Sequence, residues 1–279
     1  MRILYLVLTL ALGVAGQASA QTIDRIRETG ELKIGYRTDA APISYANEDG
    51  NAAGYSVLVC VTLAQALAQS LEMEDLNVTF HQVTGEDRFD KVASGEIDLL
   101  CGASTITLER RKIVDFSIPT YVDGAVVLLP RNGNPAIQAL DGKKIGVRSN
   151  TTTARALTNT IASTGITAEE VAFDSYDAGI DALKNGEIDA FFGDQSIIVH
   201  KVNTMNLGSE LRLTSNLLTV EKQGLALARG DSEFRLLVDQ ILSAMYRNGF
   251  MERIYKQTLP NLQPGQALRA LYMIAPEVP

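Results

Sequence analysis

The sequence is poor in the side chains that build metal and redox sites. Its 279 residues include only two cysteines, Cys60 and Cys101, and two histidines, His81 and His200. The cysteines have no zinc-type spacing, and we interpret the two distant histidines as structural. The sequence therefore predicts no metal site and no cofactor.

Motifs and charges typical of other functional classes are also missing. The sequence has no Gly-x-Ser-x-Gly nucleophile elbow and no glycine-rich phosphate loop. Its 25 Lys and Arg against 33 Asp and Glu give a formal net charge of −8. Nucleic acids and anionic lipids select basic patches. We therefore expect neither an enzyme nor a partner made of nucleic acid.

Long apolar runs are confined to the N-terminus. Arg2 precedes an apolar run at 3–15, and Ala-Ser-Ala at 18–20 matches a signal-peptidase site. No later stretch approaches the roughly 20 apolar residues that a membrane span needs. We predict a signal peptide at 1–20 and an exported, periplasmic mature protein. An uncleaved anchor helix is the alternative.

The chain contains a weak internal repeat. KIGYR at 33–37 is echoed by KIGVR at 144–148, and GEID at 95–98 is echoed at 186–189. Each copy predicts alternating strands and helices, which favours an α/β fold with two lobes, each a mostly parallel sheet flanked by helices. Ligands of such sheets bind beyond the carboxyl ends of the strands.

Two extended runs are predicted to join the lobes as hinge crossings. They are YVDGAVVLLP at 121–130 and LTVEKQGLALAR at 218–229. The predicted domains are residues 21–124 plus 221–279 for lobe 1 and residues 125–220 for lobe 2.

The remaining predictions concern the C-terminal region and the cysteines. Apolar spacing predicts one helix over 232–257, returning to lobe 1, and a short helix over 267–274. Cys60 lies in a predicted helix, and Cys101 ends the strand that this helix could cover. In an oxidising compartment we expect a disulfide between them, with two buried thiols as the alternative.

The segment at 102–119, GASTITLERRKIVDFSIP, resembles the extracellular solute-binding proteins of family 3, which bind amino acids for ABC importers. The resemblance covers most of the chain but not the tail after Pro260. It implies a two-lobed periplasmic binding protein fold, a free amino acid bound between the lobes, a membrane permease as partner, and a monomer.

Within that family the chain is most similar to the glutamate/aspartate-binding branch. The shared features are Arg37, Pro-x-Ser-Tyr at 42–45, Arg88 and the Cys-Gly pair at 101–102. Most members with neutral ligands carry an aromatic residue where this chain has Ala40. That departure favours a pocket that selects by charge.

The resemblance also implies how the α-carboxylate is held. Arg110 is the expected bidentate partner. Thr105 and Ala103 flank it, with the Thr105 hydroxyl donating to the carboxylate and a backbone carbonyl near 103 accepting from the ammonium. In lobe 2, Thr151 and Thr152 open a helix whose N-terminus favours an anion.

The other expected contacts concern the ammonium and the ligand's side chain. Asp194 is expected to accept from the ammonium. The resemblance places Arg37 and Arg88 near a side-chain carboxylate, and Arg148 where some members have a basic residue. Tyr176 matches another contact position, although tyrosine is a substitution there. We therefore expect glutamate or aspartate as the ligand.

Three alternatives remain open. The chain could be a broad or polar amino-acid binder, with its arginines turned to solvent or paired with Glu86 and Asp87. It could be a dehydratase of aromatic amino-acid precursors on the same fold, for which Glu86 and Asp39 are the nearest acids. It could also be a sensor module that transports nothing.

Overall fold

Alternating strands and helices build two separate sheets in the computed structural model, which describes residues 21–215, 217–260 and 262–277. The predicted signal peptide at 1–20 lies outside the described residues. The helices there are α1 (Gln21–Thr29), α2 (Tyr55–Ser70), α3 (Arg88–Ala93), α4 (Thr152–Thr164), α5 (Tyr176–Lys184), α6 (Gln195–Thr204), α7 (Ser232–Arg247), α8 (Phe250–Thr258) and α9 (Gln266–Ile274), with 3-10 turns at Arg110–Lys112, Ile137–Leu140 and Leu207–Ser209.

The strands of the described chain fall into two five-stranded sheets and smaller ribbons. They are β1 (Glu31–Arg37), β2 (Asp39–Ala40), β3 (Ser44–Ala46), β4 (Ala52–Ala53), β5 (Asn77–Val83), β6 (Leu99–Leu100), β7 (Val114–Phe116), β8 (Tyr121–Asp123), β9 (Ala125–Pro130), β10 (Lys144–Arg148), β11 (Glu169–Phe173), β12 (Ala190–Asp194), β13 (Leu211–Leu213), β14 (Glu221–Gln223) and β15 (Ala226–Ala228).

Each large sheet forms the centre of one lobe, which confirms the predicted fold class. Lobe 1 has the strand order β5-β1-β6-β15-β7, and lobe 2 has β11-β10-β12-β9-β13. In both, the strand with the KIGxR copy pairs in parallel with two neighbours. The fourth strand in each order then pairs antiparallel. The two lobes therefore have the same topology around their repeated segments.

The repeat has a physical cause in hydrogen bonding. The backbone N–H of Lys33 donates to Oδ2 of Asp98 over 2.8 Å, and that of Lys144 donates to Oδ2 of Asp189 over 2.9 Å. In both lobes the last residue of GEID thus secures the first residue of KIGxR. This bond aligns two neighbouring parallel strands at their amino ends.

Close packing explains the glycine of each KIGxR copy. A Cβ on Gly35 would lie 2.2 Å from Cδ1 of Ile97, and one on Gly146 would lie 2.4 Å from Cδ1 of Ile188. Those isoleucines belong to the GEID copies. Glycine and isoleucine are therefore matched across the strands of each lobe.

The chain passes between the lobes twice, at β8 and β14. These strands pair with each other and belong to neither large sheet, with Asp123 opposite Glu221 and Tyr121 opposite Gln223. An isolated bridge between Thr105 and Gln223 attaches β14 to lobe 1. The exact lobe boundaries proposed from the sequence stay a prediction, but both fall at this ribbon.

The helical prediction for 232–257 is wrong in one respect. The segment forms two helices, α7 and α8, because Gly249 has φ of 69° and interrupts the helical path. Phe234 and Met251 of these helices are buried in the same apolar core as Tyr55 of α2. The region therefore completes lobe 1.

The C-terminal helix α9 covers part of that core. It spans Gln266–Ile274, one residue longer than predicted, and buries Leu268 and Leu271. Cys60 of α2 and Cys101, which directly follows β6, are joined by a disulfide inside the same core. Helix α2 is thereby tied covalently to the central part of the lobe 1 sheet.

Two further structural findings apply to the described residues alone. None of their helices combines the length and the apolar character needed to cross a membrane. Nor do they contain a cluster of three or more His, Cys, Asp or Glu side chains suited to a metal ion.

Candidate functional site

The candidate site lies where the strands of the two sheets end. Arg37 is the last residue of β1, Arg148 of β10 and Asp194 of β12. β1 and β10 are equivalent strands of the two lobes, and all three strand ends lie at the boundary between the lobes. Arg88 begins α3, and Arg110 begins the first 3-10 turn, so both arginines are carried by lobe 1.

The lobes touch each other across this boundary. Guanidinium nitrogens of Arg148 in lobe 2 lie 3.6 Å from Oδ2 of Asp39 and 3.4 Å from Oε1 of Glu86, both in lobe 1. Nδ2 of Asn150 also donates to Glu86, over 3.2 Å. The hydroxyl oxygens of Thr105 and Thr152 lie 3.2 Å apart. The structure therefore shows the two lobes in a closed arrangement.

Arg88 is a buried cation that lacks an anionic partner in the described chain. Its side chain is 2% exposed, and its Nε and one terminal nitrogen have no hydrogen-bond partner there. Its guanidinium lies over the Phe89 ring at 4.6 Å. Burial, followed by the positive charges of Arg37 and Arg110, lowers the pKa of Arg88 to about 9. The group stays charged at neutral pH. Its other terminal nitrogen donates to the Asn150 carbonyl over 3.5 Å, and the negative charge of Glu86 offsets the lowering of the pKa in part.

Gly85 keeps open the space between Arg88 and Arg148. A Cβ at this glycine would lie 3.1 Å from a terminal nitrogen of Arg148 and 3.3 Å from one of Arg88. Guanidinium groups from opposite lobes thus converge on one point. Nε of Arg148 also lacks a partner within the described residues. Two cations held this close attract an anion placed between them.

Arg37 already has a protein carboxylate as partner, which the sequence analysis did not foresee. Its Nε donates to Oδ1 of Asp39 over 2.8 Å, and a terminal nitrogen lies 2.6 Å from the same oxygen. Among the described residues, the alternative in which Glu86 pairs with an arginine is realised at Arg148. Asp87 instead accepts from the backbone N–H of Thr84 over 2.7 Å.

Arg110 projects from lobe 1 beside Thr105. One terminal nitrogen donates to the backbone carbonyl of Thr105 over 2.7 Å, and the guanidinium lies over the Phe89 ring at 4.9 Å. Burial lowers the pKa of Arg110 to about 10, while the nearby Glu221 acts in the opposite direction. Arg110 therefore stays cationic and keeps further N–H donors beyond the one used by Thr105.

Thr105 and Ala103 line the same part of lobe 1. The Thr105 hydroxyl donates to Oε2 of Glu221 over 2.7 Å, so its proton is not directed at a ligand carboxylate in this arrangement. Ala103 packs against the main apolar cores of both lobes. Beside them, Oγ of Ser104 is buried without a partner in the part of the chain that the structure describes.

The start of α4 brings three threonines to the cleft. Thr151 caps the helix by accepting from the Ala154 backbone N–H over 3.0 Å. Thr152 donates to Oε2 of Glu221 over 2.5 Å, and Thr153 donates to Oδ1 of Asp194 over 2.8 Å. Thr151 is therefore the N-cap of α4, whereas the hydroxyl of Thr152 is directed at Glu221 of the second crossing.

Asp194 is a buried carboxylate fixed by lobe 2. Tyr176, expected at the site, donates its hydroxyl to Oδ2 of Asp194 over 2.6 Å. Burial, followed by the negative charge of Glu221, raises the pKa of Asp194. A cation placed beside Asp194 would stabilise its charged form and so oppose both causes of the raised pKa. Tyr176 therefore acts on the cleft through Asp194.

Sequence reasoning missed Glu221 as a member of this cluster, and it named Asp39 as a candidate acid but not as the partner of an arginine. Asp39 lies two residues after Arg37, and Glu221 is the one acidic residue of the second crossing at 218–229. A charged residue within such a run is the signal that could have identified Glu221. Glu221 accepts hydrogen bonds from both lobes, and Asp39 lies near Arg148 of lobe 2 in addition to its close neighbour Arg37.

The chain matches known proteins over most of its length. The family model described as bacterial extracellular solute-binding proteins, family 3, matches residues 32–261. A relative from Pseudomonas aeruginosa, named L-glutamate/L-aspartate-binding protein, is 25% identical over 259 residues, covering 92% of this chain and 86% of the relative.

Solved structures share the same fold. ArgBP from T. maritima, in a mutant form, aligns with a TM-score of 0.74 and 24% identity, covering 86% of this chain and 99% of that chain. The ancestral amino acid-binding protein AncCDT-1, a precursor of cyclohexadienyl dehydratase, aligns with a TM-score of 0.74 and 23% identity, covering 85% and 98%. Because the family match spans most of the sequence, the chain belongs to the bacterial extracellular solute-binding proteins of family 3.

Proposed function

We propose that this protein is the periplasmic solute-binding component of an ABC amino-acid importer and that it binds glutamate or aspartate between its lobes. It would act as a monomer and deliver the amino acid to a membrane permease. The observation that carries the choice of an acidic ligand is Arg88, a buried guanidinium without a carboxylate partner among the described residues.

The common part of an amino acid fits groups from both lobes. Arg110 of lobe 1 has N–H donors for the α-carboxylate, whereas the hydroxyl of Thr152 at the start of α4 is already directed at Glu221. Asp194 offers a buried carboxylate for the α-ammonium. Opposite charges at the two ends of the ligand are therefore matched by opposite charges on the protein.

The side-chain carboxylate of the ligand is expected between Arg88 and Arg148. These two guanidiniums converge near Gly85 from opposite lobes. Leaving a buried charge unpaired is costly, and an amide side chain would leave Arg88 without an anion, whereas Arg148 already lies near Asp39 and Glu86. Arg37 contributes less to this choice, because Asp39 already pairs with it.

The dehydratase alternative lacks a suitable proton donor at either acid first considered. The pKa of Glu86 is lowered to about 2, chiefly by the hydrogen bond from Asn150. Asp39 pairs with both Arg37 and Arg148. A general acid must hold a proton near neutral pH, and Glu86 does not.

Competition calorimetry with glutamate, aspartate, glutamine and asparagine tests the proposal. We expect an acid to bind at least about tenfold more tightly than its amide, or about 1.4 kcal/mol. Arg88→Met keeps the buried stem but removes the charge, so it should erase that preference while leaving measurable binding.

Lys91→Met is the matched control, because Lys91 lies on the same helix and its charge is already paired with Asp87 and Glu96. It should leave the preference unchanged. If glutamine displaces glutamate at equal concentration from the unmodified protein, the ligand is not selected as an acid.

A further inference from the structure

Glu221 is a buried carboxylate in the second crossing, and it accepts hydrogen bonds from hydroxyl groups of both lobes. It is 7% exposed. Its Oε2 accepts from Thr105 of lobe 1 over 2.7 Å and from Thr152 of lobe 2 over 2.5 Å. Its Oε1 accepts from Thr219 over 3.0 Å. Both carboxylate oxygens are therefore occupied by donors.

These bonds determine where the threonine protons point. A threonine hydroxyl has one proton and two acceptor lone pairs, whereas an ionised carboxylate only accepts. The protons of Thr105 and Thr152 are both directed at Glu221. The two hydroxyl oxygens, 3.2 Å apart, consequently retain only acceptor capacity for a ligand.

Acceptor-only hydroxyls favour one end of an amino acid. An ammonium carries three donors and no acceptor, whereas a carboxylate needs donors. Negative charge in the same region comes from Glu221 and from Asp194, which influence each other electrostatically. The surroundings of Thr105 and Thr152 thus suit the cationic end of the ligand.

We propose that Glu221 is a positioning residue that makes the cleft selective for an α-ammonium, by orienting the hydroxyls of Thr105 and Thr152 as acceptors and adding negative charge to that of Asp194. This inference rests on the proposed amino-acid-binding function. It gives the second crossing a role in recognition in addition to joining the lobes. Because Thr105 and Thr152 come from different lobes, this orientation is completed only in the closed arrangement.

The test compares glutamate with 2-hydroxyglutarate, in which a hydroxyl replaces the α-ammonium. Calorimetry should show that the unmodified protein prefers glutamate. Glu221→Gln keeps the shape and removes the charge, so the preference should fall at least tenfold while affinity for 2-hydroxyglutarate changes little. Thr105→Val, which removes one oriented hydroxyl, should lower the preference in the same direction.

Lys222→Gln is the matched control, since Lys222 is the exposed neighbour of Glu221 on β14, and it should leave the preference unchanged. If Glu221→Gln lowers the affinity for both ligands by the same factor, or changes neither affinity, Glu221 has no role in ammonium selection. If the unmodified protein binds neither acid, the proposed function fails and the inference fails with it. Thermal unfolding of each variant checks that it is folded. If Glu221→Gln does not fold, the preference measured for Thr105→Val decides whether the oriented hydroxyls select the ammonium.

Discussion

The two lobes share a backbone plan and differ in the chemistry at their strand ends. Both have the same strand order, and in both the acidic end of GEID secures the start of KIGxR. Lobe 1 carries Arg37, Arg88 and Arg110, whereas lobe 2 carries Arg148 and Asp194. The contacts that align the strands constrain the repeated residues, while positions beyond the strand ends are free to become a binding site.

The lobes also differ in how they are stabilised. Lobe 1 contains the disulfide and gains α7, α8 and α9 from the C-terminal region. Lobe 2 has no cysteine, since Cys60 and Cys101 are the only two in the chain. Its cores are built from residues between Ala125 and Leu213 together with a few neighbours from lobe 1.

The largest expected effect tests the assignment of the α-carboxylate to lobe 1. Arg110→Ala should weaken every amino-acid ligand by about 2–5 kcal/mol, because it leaves a buried carboxylate without its main partner. Calorimetry with several amino acids measures this loss. Arg111→Ala, at the next position, is the control and should bind normally. Near-native affinity in Arg110→Ala would assign the carboxylate to another group.

The next effect tests the covalent difference between the lobes. Cys60 and Cys101 are separated by 41 residues, and removing such a cross-link typically costs about 2–5 kcal/mol of unfolding free energy. Urea unfolding with and without reductant should show this loss. The double variant Cys60→Ala, Cys101→Ala should be insensitive to reductant. Two free thiols in the unfolded, unreduced protein would contradict the disulfide.

The smallest effect tests whether the shared backbone plan is equivalent in both lobes. Gly35→Ala and Gly146→Ala each place a methyl group against an isoleucine of GEID. Each should cost about 1–3 kcal/mol in urea unfolding, the range for overpacking a core.

Gly208→Ala is the control for that pair, because a Cβ there meets no atom within 4 Å. It should change the unfolding free energy by less than about 0.5 kcal/mol. A full cost at Gly35 with none at Gly146 would show that the two copies of the repeat pack differently.

Much of the fold could be predicted because it depends on local patterns. The KIGxR and GEID copies marked the equivalent strands, and the apolar runs near 121 and 218 marked the crossings. The prediction of one helix over 232–257 failed at Gly249, since helical spacing continues past a glycine whose backbone leaves the helix. Apolar periodicity reports which face is buried and is insensitive to a single interrupted turn.

The sequence by itself determined the two-lobed plan and the residue types at the strand ends, because hydrogen bonding between neighbouring strands and apolar burial act through short, regular spacings. Only the tertiary structure decided which charges are paired. Asp39 pairs with Arg37, Glu221 accepts hydrogen bonds from hydroxyls of both lobes, and Arg88 is left without an anion among the described residues. The last two outcomes depend on distances of a few ångströms between segments far apart in the chain, and electrostatic and hydrogen-bond energies change steeply over such distances.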